Sequence, residues 1–319
     1  MPVLVIGGTG FIGKAVVKRL LKTEGSVVVM SRRPQVFSKD IQDRVESVTG
    51  DVRIFSDVIR IIRDYKIDKI IHIAYTLTIA TAENPLAAAE TNVLGTANVF
   101  EAARILGGKR VVFCSSLAVY AAQESYGDRA VKEDEIVMTP QSLYGATKLF
   151  NEFMASGFER KYGIKIPLLR IAGVYGMGTE KQALMSWPNK ITAAAVRGES
   201  VLIPINPDQP ASFIHVEDVA EQLVRLCMEE RLNDRIYNSG GHTSTAGEFR
   251  KIVRKYYPDA KIEFDQKAPS WWPYPYKLDG TRISKELKWE LRDIESGLLE
   301  MMNQERLSLG LEPLKKVVA

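Results

Sequence analysis

The sequence predicts an α/β protein: a doubly wound parallel sheet with a smaller C-terminal lobe. Three observations carry this. A short apolar run at the start breaks into Gly7-Gly8-Thr9-Gly10-Phe11-Ile12-Gly13, strand-like and helix-like segments alternate as far as residue 170, and a proline-rich rhythm takes over after Gly176. Strands that alternate with helices make a parallel sheet covered on both faces. Right-handed crossovers then put the ligand crevice at the carboxyl ends of the strands.

Pro2 to Ile6 reads as the first strand, and Val16, Val17, Leu20 and Leu21 recur at helical spacing across a helix expected over 11–23. Between them the glycines let the backbone turn sharply and approach a pyrophosphate, whose charge the helix N-terminus stabilises. Gly13 lets that helix lie close on the sheet. Further strands are expected at 26–31, 45–49, 69–74, 109–115 and 165–170, with helices at 54–65, 84–106 and 141–162. Prolines then gather at 188, 204, 207 and 210 and again at 258, 269, 273 and 275, while Phe213 to Leu226 resumes the strand and helix pattern and reads as a return to the main sheet. The expected organisation is a dinucleotide-binding domain from 1–175 and 212–238, and a substrate-binding lobe from 176–211 and 239–319.

Composition sets the bounds. With 319 residues, 45% hydrophobic and 26% charged, the chain can bury a large core. The formal charge of +4 comes without a basic block or an interleaved aromatic stripe, so nucleic acid is not an expected partner. No apolar run is long enough to span a membrane and no cleavable signal is read, so the expected compartment is the cytoplasm. Cys114 and Cys227 lie far apart in apolar segments and read as buried thiols. His72, His215 and His242 lack metal-ligand spacing, so no metal is expected.

Tyr144 and Lys148 carry the chemistry. Four residues apart, they share a helix face, where an ammonium beside a phenol lowers the cost of its ionisation and makes a proton donor and acceptor usable near neutral pH. The segments GGTGFIG at 7–13, GDV at 50–52, HIAY at 72–75, ETNVLGTANVFEAA at 90–103, FCSSLAVY at 113–120, YGATK at 144–148, LRIAGVYG at 169–176 and FIHVEDVA at 213–220 keep that pair company. In this order and spacing the chain resembles the extended short-chain dehydrogenase/reductases, the NAD(P)-dependent epimerase/dehydratase family, from residue 2 to about residue 290.

That resemblance implies a Rossmann-type sheet and a site residue by residue. Gly7, Gly10 and Gly13, with Phe11 and Ile12, would hold the pyrophosphate; Asp51 and Val52 would border the adenine; Ala74 would line the path to the nicotinamide; Asn92 would support the hydrogen-bond network. Ser116, Tyr144 and Lys148 would form the catalytic triad, with Tyr144 exchanging the proton, Lys148 binding the nicotinamide ribose and Ser116 bonding the substrate oxygen. Of the adjacent serines, Ser115 is expected to point into packing or toward the cofactor. Members that prefer NAD carry an acid at the end of the second strand, where this chain has Ser31, Arg32 and Arg33. A hydroxyl and guanidiniums suit a 2′-phosphate, which favours NADP(H) and leaves NAD(H) as the alternative.

The resemblance also implies where the substrate differs. Members that handle nucleotide sugars place an Asn at the position of Gly173 and arginines at the position of Ala211 and near Lys267, so a smaller or less charged substrate is expected here. Lys181, Lys190 and Arg197 are the lobe cations that would supply charge instead. The run Trp271 to Tyr276 reads either as a binding surface or as packing that pins the lobe, and Glu217 with Asp218 as a helix N-terminal acid pair. Three activities stay open: an NADP(H)-dependent dehydrogenase or ketoreductase on a small polar molecule, a nucleotide-sugar epimerase or dehydratase, and a noncatalytic sensor. A homodimer through helices 84–106 and 141–162 is expected, since Leu149, Phe150, Phe153 and Met154 exceed what one sheet face needs.

Overall fold

In a computed structural model, the structure describes residues 2–23, 26–33, 37, 39–135, 138–178 and 185–316. Strands β1 (Val3–Ile6), β2 (Val27–Ser31), β3 (Val45–Thr49), β4 (Lys69–His72), β5 (Arg110–Ser116) and β6 (Leu168–Ile171) fall where the apolar runs predict them. Six more follow: β7 (Gly173–Tyr175), β8 (Val201–Ile203), β9 (Ala211–His215), β10 (Ile236–Asn238), β11 (His242–Ser244) and β12 (Ile262–Phe264). The helices are α1 (Phe11–Leu20), α2 (Lys39–Gln42), α3 (Phe55–Asp64), α4 (Thr78–Glu83), α5 (Pro85–Ala89), α6 (Gly95–Ile105), α7 (Leu143–Tyr162), α8 (Trp187–Arg197), α9 (Val216–Met228), α10 (Ala246–Tyr256), α11 (Thr281–Leu287) and α12 (Ile294–Ser308).

Seven parallel strands form the large sheet in the order β10-β6-β5-β4-β1-β2-β3. Its central strands are buried at nearly every position because both faces are covered. Val3, Val5, Val27 and Val29 point into the layer shared with α1 and α9, while Leu4, Ile6, Val28 and Met30 point into the layer shared with α3 and α6. The strand order reverses direction beside β1, and the crevice opens there.

The expected return to the main sheet over 212–238 is made by β10 and by α9, which packs along α1. Strand β9 does not join that sheet. It pairs parallel with β7 and antiparallel with β11 in a three-stranded sheet, and β8 with β12 forms a third, two-stranded one. These small sheets carry the lobe with α8, α10 and α12. Among the described residues no helix is long and apolar enough to cross a membrane, and both cysteines are buried and unpaired.

One departure from the expected helices bears on the site. The helix read over 84–106 is interrupted by a π turn at Glu90–Leu94 between α5 and α6. A π turn leaves carbonyls free to serve other partners. The Asn92 carbonyl accepts from Thr96 Oγ1 at 2.7 Å and from Asn151 Nδ2 at 2.7 Å, tying the turn to α7.

Candidate active site

A crevice of about 770 Å³ runs along the carboxyl edge of the sheet. At its centre the turn after β1 is made of glycines because nothing larger fits. Gly7 has φ +89°, and a Cβ on it would lie 2.7 Å from the Ala74 backbone nitrogen. A Cβ on Gly13 would strike the Gly7 carbonyl and Gly8, so α1 rides directly over the turn. Helix α1 starts at Gly10 with no side-chain cap and no acid in its first turn, leaving its N–H groups facing the crevice. This cradle fits a pyrophosphate.

The outer end is lined by Ser31, Arg32, Val52, Lys14 and Lys18. Ser31 ends β2 and donates to the Arg33 carbonyl at 2.8 Å. The Arg33 side chain is exposed and does not line the crevice; Asp51 turns its carboxylate onto the Arg53 guanidinium, 2.7 Å away, which holds it below the usual carboxylate range. Val52 is fixed by Asn98 Nδ2, which donates to its carbonyl at 2.8 Å.

The inner end gathers the catalytic candidates. Helix α7 begins at Ser142, whose side chain accepts from the Gly145 N–H at 3.1 Å, and Gly145 lies so close under the Ala118 carbonyl that a Cβ would collide with it. That contact brings the start of α7 onto the short turn Leu117–Val119 after β5, and so brings Tyr144 to Ser116. Ser116 faces the phenol and accepts from the Ala118 N–H at 3.1 Å. Ser115 points the other way, as alternation along a strand requires. Its hydroxyl donates to Glu152 Oε1 at 2.5 Å, and Glu152 pairs with the buried Arg170 at 2.6 Å.

The electrostatics differ from the expectation for the pair. The Tyr144 phenol is shifted up, not down. Burial pushes the phenol up, and the Ser116 hydroxyl only partly opposes it. The Lys148 ammonium, itself lowered by burial to about 8, donates to the Cys114 carbonyl at 2.5 Å and lies 5.6 Å from the Tyr144 ring. Desolvation is the largest influence on both groups. The phenol is therefore held as a proton donor.

Asn92 sits behind this wall, buried, with its side-chain amide clamped to Thr76: Oδ1 accepts from the Thr76 N–H at 2.7 Å and Nδ2 donates to the Thr76 carbonyl at 3.0 Å. It fixes the loop after β4, which carries Ala74, Tyr75 and Thr76 into the crevice. Tyr75, Lys14 and Lys18 were not singled out from the sequence. Their signals were present: an aromatic directly after His72-Ile73-Ala74, and two lysines four apart on the helix that follows the glycines.

On the lobe side the crevice is bounded by Met177, Gly178, Val216 and Glu217. Glu217 and Asp218 occupy the first turn of α9; Asp218 is buried against Arg292 at 2.8 Å, while Glu217 lines the crevice. Trp272 lies over Gly173, where a Cβ would come within 2.7 Å of its ring, and stacks on Phe213. The aromatic run is thus interior packing at Trp272 and Tyr274. Of the lobe cations, Arg197 is paired with Glu305, Lys190 is exposed away from the crevice, and Lys181 lies outside the described residues. His72 bonds Thr96, His242 bonds the Arg292 carbonyl, and among the described residues no three potential metal ligands cluster.

The chain is 29% identical to UDP-glucuronic acid decarboxylase 6 of Arabidopsis thaliana, over 98% of this chain and 90% of that protein. A UDP-glucose 4-epimerase of Thermus thermophilus, solved with NAD, superposes with a TM-score of 0.79 at 25% identity over 96% of this chain and 99% of its own. An L-threonine dehydrogenase of Cupriavidus necator superposes with a TM-score of 0.85 at 20% identity, over 97% and 100%, a likeness of fold. The pattern of one family matches residues 3–240, the stretch that holds the glycine cradle, Ser116, Tyr144 and Lys148. The chain belongs to the NAD dependent epimerase/dehydratase family and is a nicotinamide-dependent enzyme of the extended short-chain dehydrogenase type.

Proposed function

We propose that the protein is an NADP(H)-dependent oxidoreductase that moves hydride to or from the secondary alcohol or ketone carbon of a small polar, sugar-like substrate, with Tyr144 as general acid and base. One observation carries this reading. A single crevice runs from Ser31 and Arg32, across the glycine cradle, to Tyr144 and Lys148.

The nicotinamide, when bound, supplies or accepts the hydride. The chain's own residues handle the proton and the charge. Tyr144 keeps its proton at neutral pH and delivers it from its hydroxyl to the substrate oxygen, which Ser116 steadies with a second hydrogen bond. Lys148 offsets the phenolate left behind and offers its remaining donors to the ribose. Asn92 holds the loop that carries Ala74, Tyr75 and Thr76 along this end.

The NADP(H) preference is supported by the missing acid at Ser31 and by Arg32, Lys14 and Lys18 on the same crevice wall. Fluorescence titration with NADPH and NADH tests it: the wild type binds NADPH tighter, and Ser31→Asp reverses the order. Tighter NADH binding by the wild type would overturn it. The small substrate is supported by Gly173 and Ala211, which stand where the resemblance places an Asn and an Arg for a nucleotide sugar. Its test is net consumption of NADPH with a panel of hydroxy-ketones, abolished in Tyr144→Phe with cofactor affinity retained.

The Arabidopsis relative favours a second reading, a nucleotide-sugar epimerase or decarboxylase that returns the hydride to its substrate. It requires tightly held oxidised cofactor, no net NADPH consumption, and conversion of UDP-glucose or UDP-glucuronic acid seen by chromatography. The assembly proposed is a homodimer through helices 84–106 and 141–162, supported by the exposed Leu86, Leu94, Phe150 and Phe153. A monomeric mass in solution would sink it. Cytoplasmic residence is supported by the two buried thiols left unpaired.

A further inference from the structure

Lys148 is 2% exposed, and among the described residues it has no carboxylate partner. Glu152, the acid one turn further along α7, is committed to Arg170 and Ser115. A buried ammonium needs compensation. One N–H is met by the Cys114 carbonyl at 2.5 Å. The rest of the charge faces a ring: Nζ lies 3.4 Å from the centroid of Tyr75, against 4.8 Å for Phe113 and 5.6 Å for Tyr144. At that distance a desolvated ammonium is held by the negative face of the aromatic quadrupole.

Tyr75 is built to stay there. Its hydroxyl accepts from Asn151 Nδ2 at 2.9 Å, the same amide that grips the Asn92 carbonyl, and its ring meets Tyr144 edge to face at 5.6 Å and 89°. It therefore touches both members of the catalytic pair while lining the crevice. Resting on the proposed roles of Tyr144 and Lys148, we propose that Tyr75 is a positioning residue whose ring face, in place of a carboxylate, holds the Lys148 ammonium charged and oriented toward the cofactor.

The groups facing that ammonium are Tyr75, Tyr144 and Glu152, with Cys114 on β5 and His72 on β4. Burial keeps His72 neutral, with its pKa down to about 3, and pushes the Cys114 thiol up, so neither adds charge where Lys148 titrates. Tyr75 is the neighbour whose removal should move that titration.

The experiment follows the ¹³Cε signal of Lys148 in lysine-labelled protein from pH 6 to 10, assigned with Lys148→Met, beside NADPH fluorescence titrations. Tyr75→Phe keeps the face and loses the hydroxyl; its midpoint stays within about 0.3 of wild type. Tyr75→Leu keeps bulk and loses the face; its midpoint falls by roughly one pH unit. NADPH binding by Tyr75→Leu then weakens about twofold at pH 7 and about tenfold at pH 9, following the charged fraction. A Tyr75→Leu midpoint equal to wild type, or a Tyr75→Phe midpoint that falls as far, overturns the proposal. Should Tyr75→Leu fail to fold, pentafluorophenylalanine at position 75 keeps the shape and inverts the quadrupole, and an unmoved midpoint then overturns it. A wild type that binds neither NADPH nor NADH would sink the proposed function, while the lysine titration would still judge Tyr75.

Discussion

On the cofactor side of the crevice the walls are backbone: Gly7 against Ala74, Gly13 against the Gly7 carbonyl, and the bare N-terminus of α1. On the lobe side the crevice meets Met177, Gly178, Val216 and Glu217, and the lobe behind them is packed with rings, Phe213 on Phe249 at 4.7 Å, Trp187 on Phe249 at 5.0 Å, and Trp272 laid over Gly173. Backbone walls accept any ligand with the right phosphates, since N–H groups are the same whatever side chains surround them. Packed rings instead hold the residues in front of them in one arrangement. The first region forms the cofactor cradle and the second supports the lobe that faces it.

The largest test of the comparison breaks the support under the catalytic helix. Arg170→Met leaves Glu152 buried without its partner and frees Tyr120 and the Glu133 carbonyl, which the same guanidinium holds at 2.6 and 3.0 Å. Breaking a buried pair costs about 3–5 kcal/mol, so the urea midpoint should fall steeply and cofactor affinity should fall with it. The matching change on the lobe side is Trp272→Ala. Removing a buried indole costs about 3–5 kcal/mol through lost burial and cavity. Here NADPH affinity should stay at wild type, and a drop in affinity would show that the two regions are not separable.

A pH test follows from Lys148. Its pKa is lowered by burial from 10.5 to about 8, so between those values the unfolded chain binds more protons than the folded one and stability rises with pH. Below about pH 8 the cost is fully present, up to about 3 kcal/mol. Lys148→Met should therefore stabilise the protein at pH 7 and lose that advantage as pH approaches 10.5. Urea unfolding of both proteins at pH 7 and pH 10 measures it, and equal differences at the two pH values would refute it.

How far the sequence could be read follows the same division. The six strands up to Ile171, helix α1 and the place of Tyr144 and Lys148 were legible because period and glycine chemistry act locally. Strand β9 was misassigned to the main sheet because three residues of pairing with β7 and β11 are a long-range choice that leaves no local trace. The π turn at Asn92 leaves no local pattern either: its Asn92 carbonyl is held by Asn151, 59 positions away. The sign of the Tyr144 shift was missed because spacing says which groups are near, and burial, which dominates here, is a property of the folded whole. Trp272 over Gly173 could be suspected only as packing, since no pattern joins two residues so far apart in the chain.

The smallest effects, and the sharpest contrast, come from two glycine-to-alanine changes. Gly13→Ala sets a methyl against the Gly7 carbonyl and against Gly8 Cα at 2.6 Å, all backbone, so the turn itself must move. Overpacking of this kind costs about 1–3 kcal/mol. The displaced turn is the phosphate cradle, so NADPH affinity should fall at least tenfold. Gly173→Ala meets the Trp272 ring at 2.7 Å and the Ser212 carbonyl at 2.8 Å, and costs a similar amount in stability. Its strain is taken up by the indole and the β7–β9 edge, away from α1, so NADPH affinity should not change. Measured together by thermal unfolding and fluorescence titration, the pair separates a wall that is itself the binding site from the packing that stands behind the lobe, and equal losses of affinity in both would erase that distinction.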